Sequence, residues 1–104
     1  GRIQKRERPM DKVRVSITYC SQCQWLLRAA WMAQELLLTF GQDLEEVALR
    51  PGTGGVFEIR LGDALLWSRA REGRFPEAKE IKQRLRDHID PDRDLGHADR
   101  SSEH

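Results

Sequence analysis

The chain of 104 residues contains two cysteines, Cys20 and Cys23, in the motif Cys-Ser-Gln-Cys. Before them, residues 13–19 alternate between apolar and polar side chains, which is typical of a half-buried strand. After them, residues 24–40 contain no Gly or Pro and are rich in Leu, Ala, Gln and Met, which predicts a helix. Two thiols at such a junction can come within disulfide-bonding distance. A redox-active cysteine pair is therefore the first hypothesis.

The start of the predicted helix favours the thiolate form of these cysteines. Unpaired amide groups and the positive end of the helix dipole lie at a helix N-terminus, and both stabilise a negative charge. No Lys, Arg or His lies within four residues of Cys20 or Cys23, so the helix terminus is the cause that the sequence offers. We expect at least one thiol to have a pKa below the ordinary value of about 8.5.

Two other interpretations of the cysteine pair stay open: it forms half of a metal site, or it has no chemical role. A structural zinc site takes about four ligands. The two cysteine thiolates would supply two of these ligands, and only histidines could add the others. The histidines are His88, His97 and His104. Because two of them lie in the polar C-terminal stretch, we expect no metal site.

Length and charge limit the class of protein. A chain of this size predicts one domain with a small core. The net charge is +1, and residues 13–90 carry eleven basic and eleven acidic side chains. This balance offers no basic face, so we expect no binding to nucleic acid. The apolar runs are too short for a signal peptide or a membrane span, so we expect a cytoplasmic protein without membrane contact. In the reducing cytoplasm, a CxxC pair is more often catalytic or metal-binding than structural.

The two ends of the chain differ in composition from its middle. Residues 1–9 precede Met10, a plausible natural start, and residues 91–104 have Leu95 as their one aliphatic side chain larger than Ala. Such a polar segment buries too little apolar surface to offset its ordering entropy. The sequence thus predicts a flexible N-terminal extension, a folded domain and a disordered C-terminal tail, spanning residues 1–11, 12–90 and 91–104.

The hydrophobic pattern predicts the order strand, helix, three strands, helix. Two strands that flank a long helix should be parallel with a right-handed crossover, and two strands joined by a tight turn should be antiparallel. Clean alternation in the first and third strands indicates that one sheet face is covered and the other is relatively open. This favours a two-layer α/β domain, a four-stranded mixed sheet with both helices on one face. The predicted strands are residues 13–19, 44–50, 55–61 and 64–68, and the helices are residues 24–40 and 76–90.

Three features together resemble the selenoprotein W family, also called the Rdx family, in its all-cysteine bacterial form. They are Val-Ser-Ile-Thr-Tyr-Cys-Ser-Gln-Cys at residues 15–23, the long helix that follows, and Thr-Gly-Gly-Val-Phe-Glu-Ile at residues 53–59 before a turn at Gly62. The resemblance covers roughly residues 12–90. It implies a thioredoxin-like fold and a thiol redox role linked to glutathione. The spacer is Ser-Gln rather than Gly-Pro, and no Thr-Pro or Val-Pro pair precedes the third strand, so the substrate docking of thioredoxin itself is not carried over.

The working mechanism is thiol-disulfide exchange with a thiol or disulfide protein partner. One thiolate attacks a disulfide, the other resolves the mixed disulfide, and glutathione is the expected reductant without any bound cofactor. Local geometry at a helix start predicts that the sulfur of Cys20 points outward and that Cys23 lies deeper, which favours Cys20 as the attacker. The resemblance suggests the opposite order, because Cys23 stands where relatives carry selenocysteine.

Several neighbours of the cysteine pair are candidates for contact with a substrate or partner. For Trp25 the alternatives are a surface contact and burial in the core. The glycine-rich loop before the third strand leads into a strand rather than a helix, so a phosphate cradle is not expected there. A cluster of arginines before the last helix is either a solvated loop or a site for an anionic group such as a carboxylate of glutathione. The contact candidates are Tyr19, Ser21, Gln22, Trp25, Thr53, Gly54 and Gly55, and the arginines are Arg69, Arg71 and Arg74.

A second hypothesis belongs to a different class of function. The domain would be an interaction module whose binding to a protein partner is switched by oxidation of the cysteine pair. The expected open sheet face and Trp25 favour it. Turnover with glutathione, compared with binding by reduced and oxidised protein, separates the two hypotheses.

Overall fold

A mixed four-stranded sheet covered by helices forms the part of the chain that the computed structural model describes, residues 12–90. The predicted order of strands and helices is confirmed, and a short helix, α2, is added to it. The elements are β1 Val13–Cys20, α1 Leu26–Phe40, β2 Leu44–Gly52, β3 Phe57–Leu61, β4 Ala64–Ser68, α2 Arg69–Glu72 and α3 Ala78–Ile89.

The strands lie in the order β2-β1-β3-β4. β1 pairs parallel to β2 and antiparallel to β3, and β3 pairs antiparallel to β4. The parallel pair is joined through α1, and the antiparallel pair β3-β4 is joined by a tight turn at Gly62, both as the connection lengths predicted. β1 is thus a central strand, and its C-terminal residue, Cys20, lies opposite Gly52 at the end of β2.

The core lies between one sheet face and the helices. Val15 and Ile17 of β1 are buried, whereas Arg14 on the alternate face is exposed. α1 contacts β1 and β2, α3 contacts β4, and the two helices contact each other, which confirms a two-layer arrangement. Burial of each large apolar side chain contributes about 1.5–3 kcal/mol. The largest fully buried side chains are Trp67, Phe40, Phe57, Ile17, Met32, Leu36, Ile59, Ile81, Leu85 and Val15.

Charged side chains hold the segment between β4 and α3. Glu77 and Glu80 form a capping box at the start of α3, and the guanidinium of Arg74 binds both carboxylate oxygens of Glu80. The hydrogen bond from Arg74 is the main reason that the pKa of Glu80 is lowered from 4.5 to about 2. The indole Nε1 of buried Trp67 donates to the carbonyl of Arg74 at 3.1 Å. α3 therefore begins at a fixed point on the sheet.

Two predictions fall on residues that the structure does not describe. The expected N-terminal extension, residues 1–11, and the expected tail, residues 91–104, lie outside the described residues. Within residues 12–90, no helix is both long and apolar enough to cross a membrane.

Candidate redox site

Cys20 and Cys23 lie at the junction of β1 and α1, as predicted. Cys20 is the last residue of β1, and Cys23 lies in the turn formed by residues 21–24 before the helix. Their sulfurs are bonded as a disulfide, and their Cα atoms are 5.3 Å apart, within the usual range for such a bond. The two thiols are therefore close enough to form and break a bond with each other.

The two cysteines differ in exposure, and in the opposite sense to the one expected. Cys20 is only 1% exposed, whereas Cys23 is exposed. The prediction of an outward Cys20 is wrong because Cys20 belongs to β1, where pairing with Gly52 holds it in the sheet. The helix begins only at Leu26, so Cys23 lies in the preceding turn and is not held against the helix. A reaction partner can reach Cys23 first.

The sulfur of Cys20 accepts a backbone hydrogen bond. The amide N of Cys23 donates to Sγ of Cys20 at 3.3 Å. A backbone amide directed at a sulfur stabilises negative charge on it once the disulfide is reduced. The amide comes from the turn itself, whereas the sequence had offered the helix terminus, which lies further along the chain at Leu26. The lowered thiol pKa stays a prediction.

The turn between the cysteines is anchored to the end of β2. Both the amide N and the hydroxyl Oγ of Ser21 donate to the carbonyl of Gly52, at 3.0 and 3.2 Å. The amide N of Gln24 donates to the carbonyl of Ser21, and Gln24 has a φ of 64°, an uncommon conformation for a residue other than Gly. Gln22 is exposed between the cysteines. These bonds hold the turn in one shape around the disulfide.

The glycine-rich segment follows directly after this anchor. Thr53 and Gly54 are exposed, and Gly55 is partly buried, in the turn from β2 to β3. Gly54 and Gly55 have φ values of 74° and 75°, which L side chains rarely adopt. The structure thus brings residues 53–55 next to the anchor of the cysteine turn, whereas Tyr19 is 8% exposed and packs in the core.

Trp25 packs against a second aromatic ring. It is half-buried, and its ring centroid lies 4.8 Å from that of Phe75 in an edge-to-face arrangement. The guanidinium carbon of Arg69 lies 5.0 Å from both ring centroids, and that of Arg28 lies 4.0 Å from the ring of Phe75. We call Trp25, Phe75, Arg28 and Arg69 the arginine-aromatic cluster. Sequence reasoning did not nominate Phe75 or Arg28 for the site, although Arg28 is five residues after Cys23.

The three arginines predicted as one anion site have three different environments. Arg69 lies in the arginine-aromatic cluster, Arg74 is paired with Glu80, and Arg71 is exposed. Arg71 lines a surface hollow of about 340 Å³ together with Glu72. In the described part of the chain, no group of three or more His, Cys, Asp or Glu side chains could hold a metal ion.

Comparison with known proteins adds a family and two solved structures. The Rdx family model matches residues 14–87. A crystal structure of a protein from Bordetella parapertussis is 68% identical, with a TM-score of 0.74, over 75% of this chain and 99% of that one. A selenoprotein W-related protein from Vibrio cholerae is 56% identical, with a TM-score of 0.74, over 76% of this chain and 99% of that one. The search of curated proteins found no match.

Proposed function

The chain belongs to the Rdx family, a redox-associated family, and from this premise we propose that it is a thiol-disulfide redox protein whose reacting groups are Cys20 and Cys23. The observation that carries the proposal is the pairing of one exposed and one buried cysteine at disulfide-bonding distance. An attacking thiol must be accessible, whereas a resolving thiol needs to reach only its partner cysteine.

In the proposed oxidation cycle, exposed Cys23 attacks first. Its thiolate forms a bond with one sulfur of the partner disulfide, and the other partner sulfur leaves as a thiolate. The thiolate of Cys20 then attacks the sulfur of Cys23, and the second partner sulfur leaves. Two electrons have passed to the partner, which becomes a dithiol, and Cys20 and Cys23 have become a disulfide. The amide of Cys23, 3.3 Å from Sγ of Cys20, supports the negative charge on the resolving thiolate.

Two thiol molecules are needed to regenerate the reduced pair. The first attacks the Cys20–Cys23 disulfide and forms a mixed disulfide, and the second displaces the protein thiol and leaves as part of a small disulfide. We propose glutathione for this role because the family resemblance implies it.

A pair that must be reduced again after each cycle suits a compartment kept reducing by thiols, so the proposed setting is the cytoplasm.

The test is turnover. Wild-type protein is mixed with glutathione, glutathione reductase, NADPH and the neutral substrate 2-hydroxyethyl disulfide, and NADPH consumption is followed above the protein-free rate. We expect Cys23→Ser to abolish the added rate and Gln42→Ala to retain it, since Gln42 is an exposed residue of the turn that follows α1. A wild-type rate equal to the protein-free rate would overturn catalysis.

One observation supports a redox-switched interaction module as the second candidate. α1 carries large apolar side chains that are exposed, among them Leu27 at 81%, Leu38 at 82% and Trp31 at 48%. Contiguous apolar surface of this kind is common at protein interfaces. The helix directly follows the cysteine turn, so its surface is placed to respond to the redox state. Partner capture that depends on oxidation, without turnover, would favour this candidate.

A further inference from the structure

The arginine-aromatic cluster brings two cationic side chains to one aromatic ring. The guanidinium carbons of Arg28 and Arg69 lie 4.0 and 5.0 Å from the ring centroid of Phe75, and Arg69 also contacts Trp25. A guanidinium held against an aromatic face keeps its orientation, because stacking limits its rotation. The two guanidinium carbons therefore lie no more than 9.0 Å apart, which is the sum of their distances to this centroid.

These two arginines have no carboxylate partner among residues 12–90, unlike their neighbours. Arg74 is paired with Glu80, and Arg84 with Glu72 at 3.1 Å. In addition, Nε of Arg69 is buried and has no hydrogen-bond acceptor in this part of the chain. Like charges in proximity and a buried donor without an acceptor both destabilise a folded protein. An anion that binds the guanidinium groups would offset their mutual repulsion.

The cluster lies beside the cysteine turn. Trp25 is two residues after Cys23, and its amide N donates to the carbonyl of Cys20 at 3.3 Å. Arg28 lies in the first turn of α1, which begins at Leu26. A small molecule whose sulfur is at exposed Cys23 therefore has the cluster as a neighbouring surface.

We propose that Arg28 and Arg69 form a carboxylate-binding subsite, which selects small carboxylate-bearing thiols and disulfides as reaction partners of Cys23. The inference rests on the proposed redox function and names the chemical class of its substrate. A guanidinium binds a carboxylate through charge-assisted hydrogen bonds, which are stronger than neutral ones. The subsite leaves the exchange chemistry unchanged and holds the partner sulfur near Cys23.

The first test compares two thiols that differ in charge. The rate of reduction of the Cys20–Cys23 disulfide is measured with glutathione and with glutathione diethyl ester. Each rate is divided by the rate at which the same thiol reduces 2-hydroxyethyl disulfide, which corrects for the intrinsic reactivity of the thiol. We expect wild type to prefer the acid form by roughly tenfold, the equivalent of one well-placed charged contact. Arg28→Met and Arg69→Met should lose most of this preference. Arg71→Met, an equal charge change at an exposed position of α2, should keep it.

The second test does not require thiol exchange. S-methylglutathione carries the same carboxylates on a sulfur that cannot react, and its binding is followed by NMR titration. We expect wild type and Arg71→Met to bind it, and Arg28→Met, Arg69→Met and added salt to weaken binding several-fold. Thermal melts check folding, and Arg69→Met should melt no lower than wild type, because the variant removes a buried donor without an acceptor.

The outcomes separate this inference from the proposed function. If both thiols reduce the protein at equal normalised rates and S-methylglutathione does not bind, the subsite is overturned and the redox role is left intact. Binding that depends on both arginines, in a protein that no thiol reduces, supports the subsite and overturns the redox role. Equal effects of all three arginine variants would show only a general charge effect and would overturn the assignment to Arg28 and Arg69.

Discussion

The difference in exposure between Cys20 and Cys23 is the residue-scale feature on which the proposed mechanism depends. Cys20 is 1% exposed in the disulfide form and ends a central strand, so the protein shields its sulfur from external molecules. Cys23 lies in an exposed turn. The position that selenocysteine occupies in relatives, by the sequence resemblance, is also that of Cys23. Exposure and resemblance therefore both support Cys23 as the proposed attacker.

Two serine variants test this division of roles. Cys20→Ser removes the resolving thiol, so a mixed disulfide through Cys23 should accumulate when the variant is incubated with oxidised glutathione. Cys23→Ser leaves a buried thiol and should trap little. Intact mass spectrometry measures both yields, and thermal melts show that both variants are folded. A larger yield from Cys23→Ser would assign the attack to Cys20.

At this scale the sequence could identify the two cysteines that form a disulfide but not their surroundings. A CxxC at a strand-to-helix junction is a local pattern, and the local pattern was sufficient. Exposure of each sulfur depends on where β1 ends and α1 begins, and a shift of two residues reverses the expectation. Phe75 reaches Trp25 from a segment fifty residues away in sequence. Such a contact depends on tertiary packing, which propensity does not encode.

At the scale of elements, the end of β2 supports the cysteine turn. The carbonyl of Gly52 accepts both hydrogen bonds of Ser21, and Gly52 also packs closely against neighbouring side chains. A Cβ at this position would lie 2.9 Å from Cγ1 of Val56, 3.2 Å from Cγ2 of Thr18 and 3.4 Å from the carbonyl O of Tyr19. Only a residue without a side chain fits there, so strand packing and turn geometry are linked.

Gly52→Ala should therefore destabilise the fold by about 1–3 kcal/mol, the usual cost of overpacking. Denaturant unfolding of the oxidised protein measures the change. The added Val56→Ala truncation removes the closest clashing atom, so the double variant should recover part of the loss. Equal stability of Gly52→Ala and wild type would show that the end of β2 has room for a side chain.

The ion pair at the start of α3 gives the fold a predicted response to acid. Because the folded pKa of Glu80 is lowered from 4.5 to about 2, its pairing with Arg74 stabilises the fold above pH 4.5 and is lost as the pH falls towards 2. Glu80→Gln keeps an acceptor for the capping box but removes the charge. Since the side chain of Arg74 is half exposed, Glu80→Gln should lower the free energy of unfolding at neutral pH by on the order of 1 kcal/mol.

Unfolding free energies of wild type and Glu80→Gln should thus converge as the pH is lowered across this range. Glu46→Gln, which removes an exposed carboxylate of β2, is the matched control and should follow wild type. A difference between Glu80→Gln and wild type that stays constant from neutral pH to pH 2 would contradict an electrostatic origin.

At the scale of the whole molecule, the architecture was predictable because its signals are local or follow from connection lengths. Alternation identified β1 and β3, the long helical segment required a parallel crossover, and a tight turn required an antiparallel pair. α2 was missed because four residues, Arg69–Glu72, are too few to show a helical period. β2 extends to Gly52, past Pro51, because pairing with β1 holds it in the strand.

The predicted boundaries of the domain can be tested by truncation. The buried core of the described region lies between Val13 and Ile89, and the family match covers residues 14–87. We therefore expect a chain without residues 1–9 and 92–104 to melt within measurement error of the full chain. A melting temperature lower by several degrees would mean that one of these segments contributes to the fold.

The central claim is that Cys20 and Cys23 form a reversible disulfide in the folded protein, and a redox titration tests it most directly. The protein is equilibrated in buffers of increasing ratio of oxidised to reduced glutathione, then alkylated, and the modified cysteines are counted by mass spectrometry. Both thiols should disappear together in one reversible two-electron transition, through a bond within one folded chain. If no buffer populates the bond, or if the bond once formed resists reduction in the folded protein, the pair is not a redox centre.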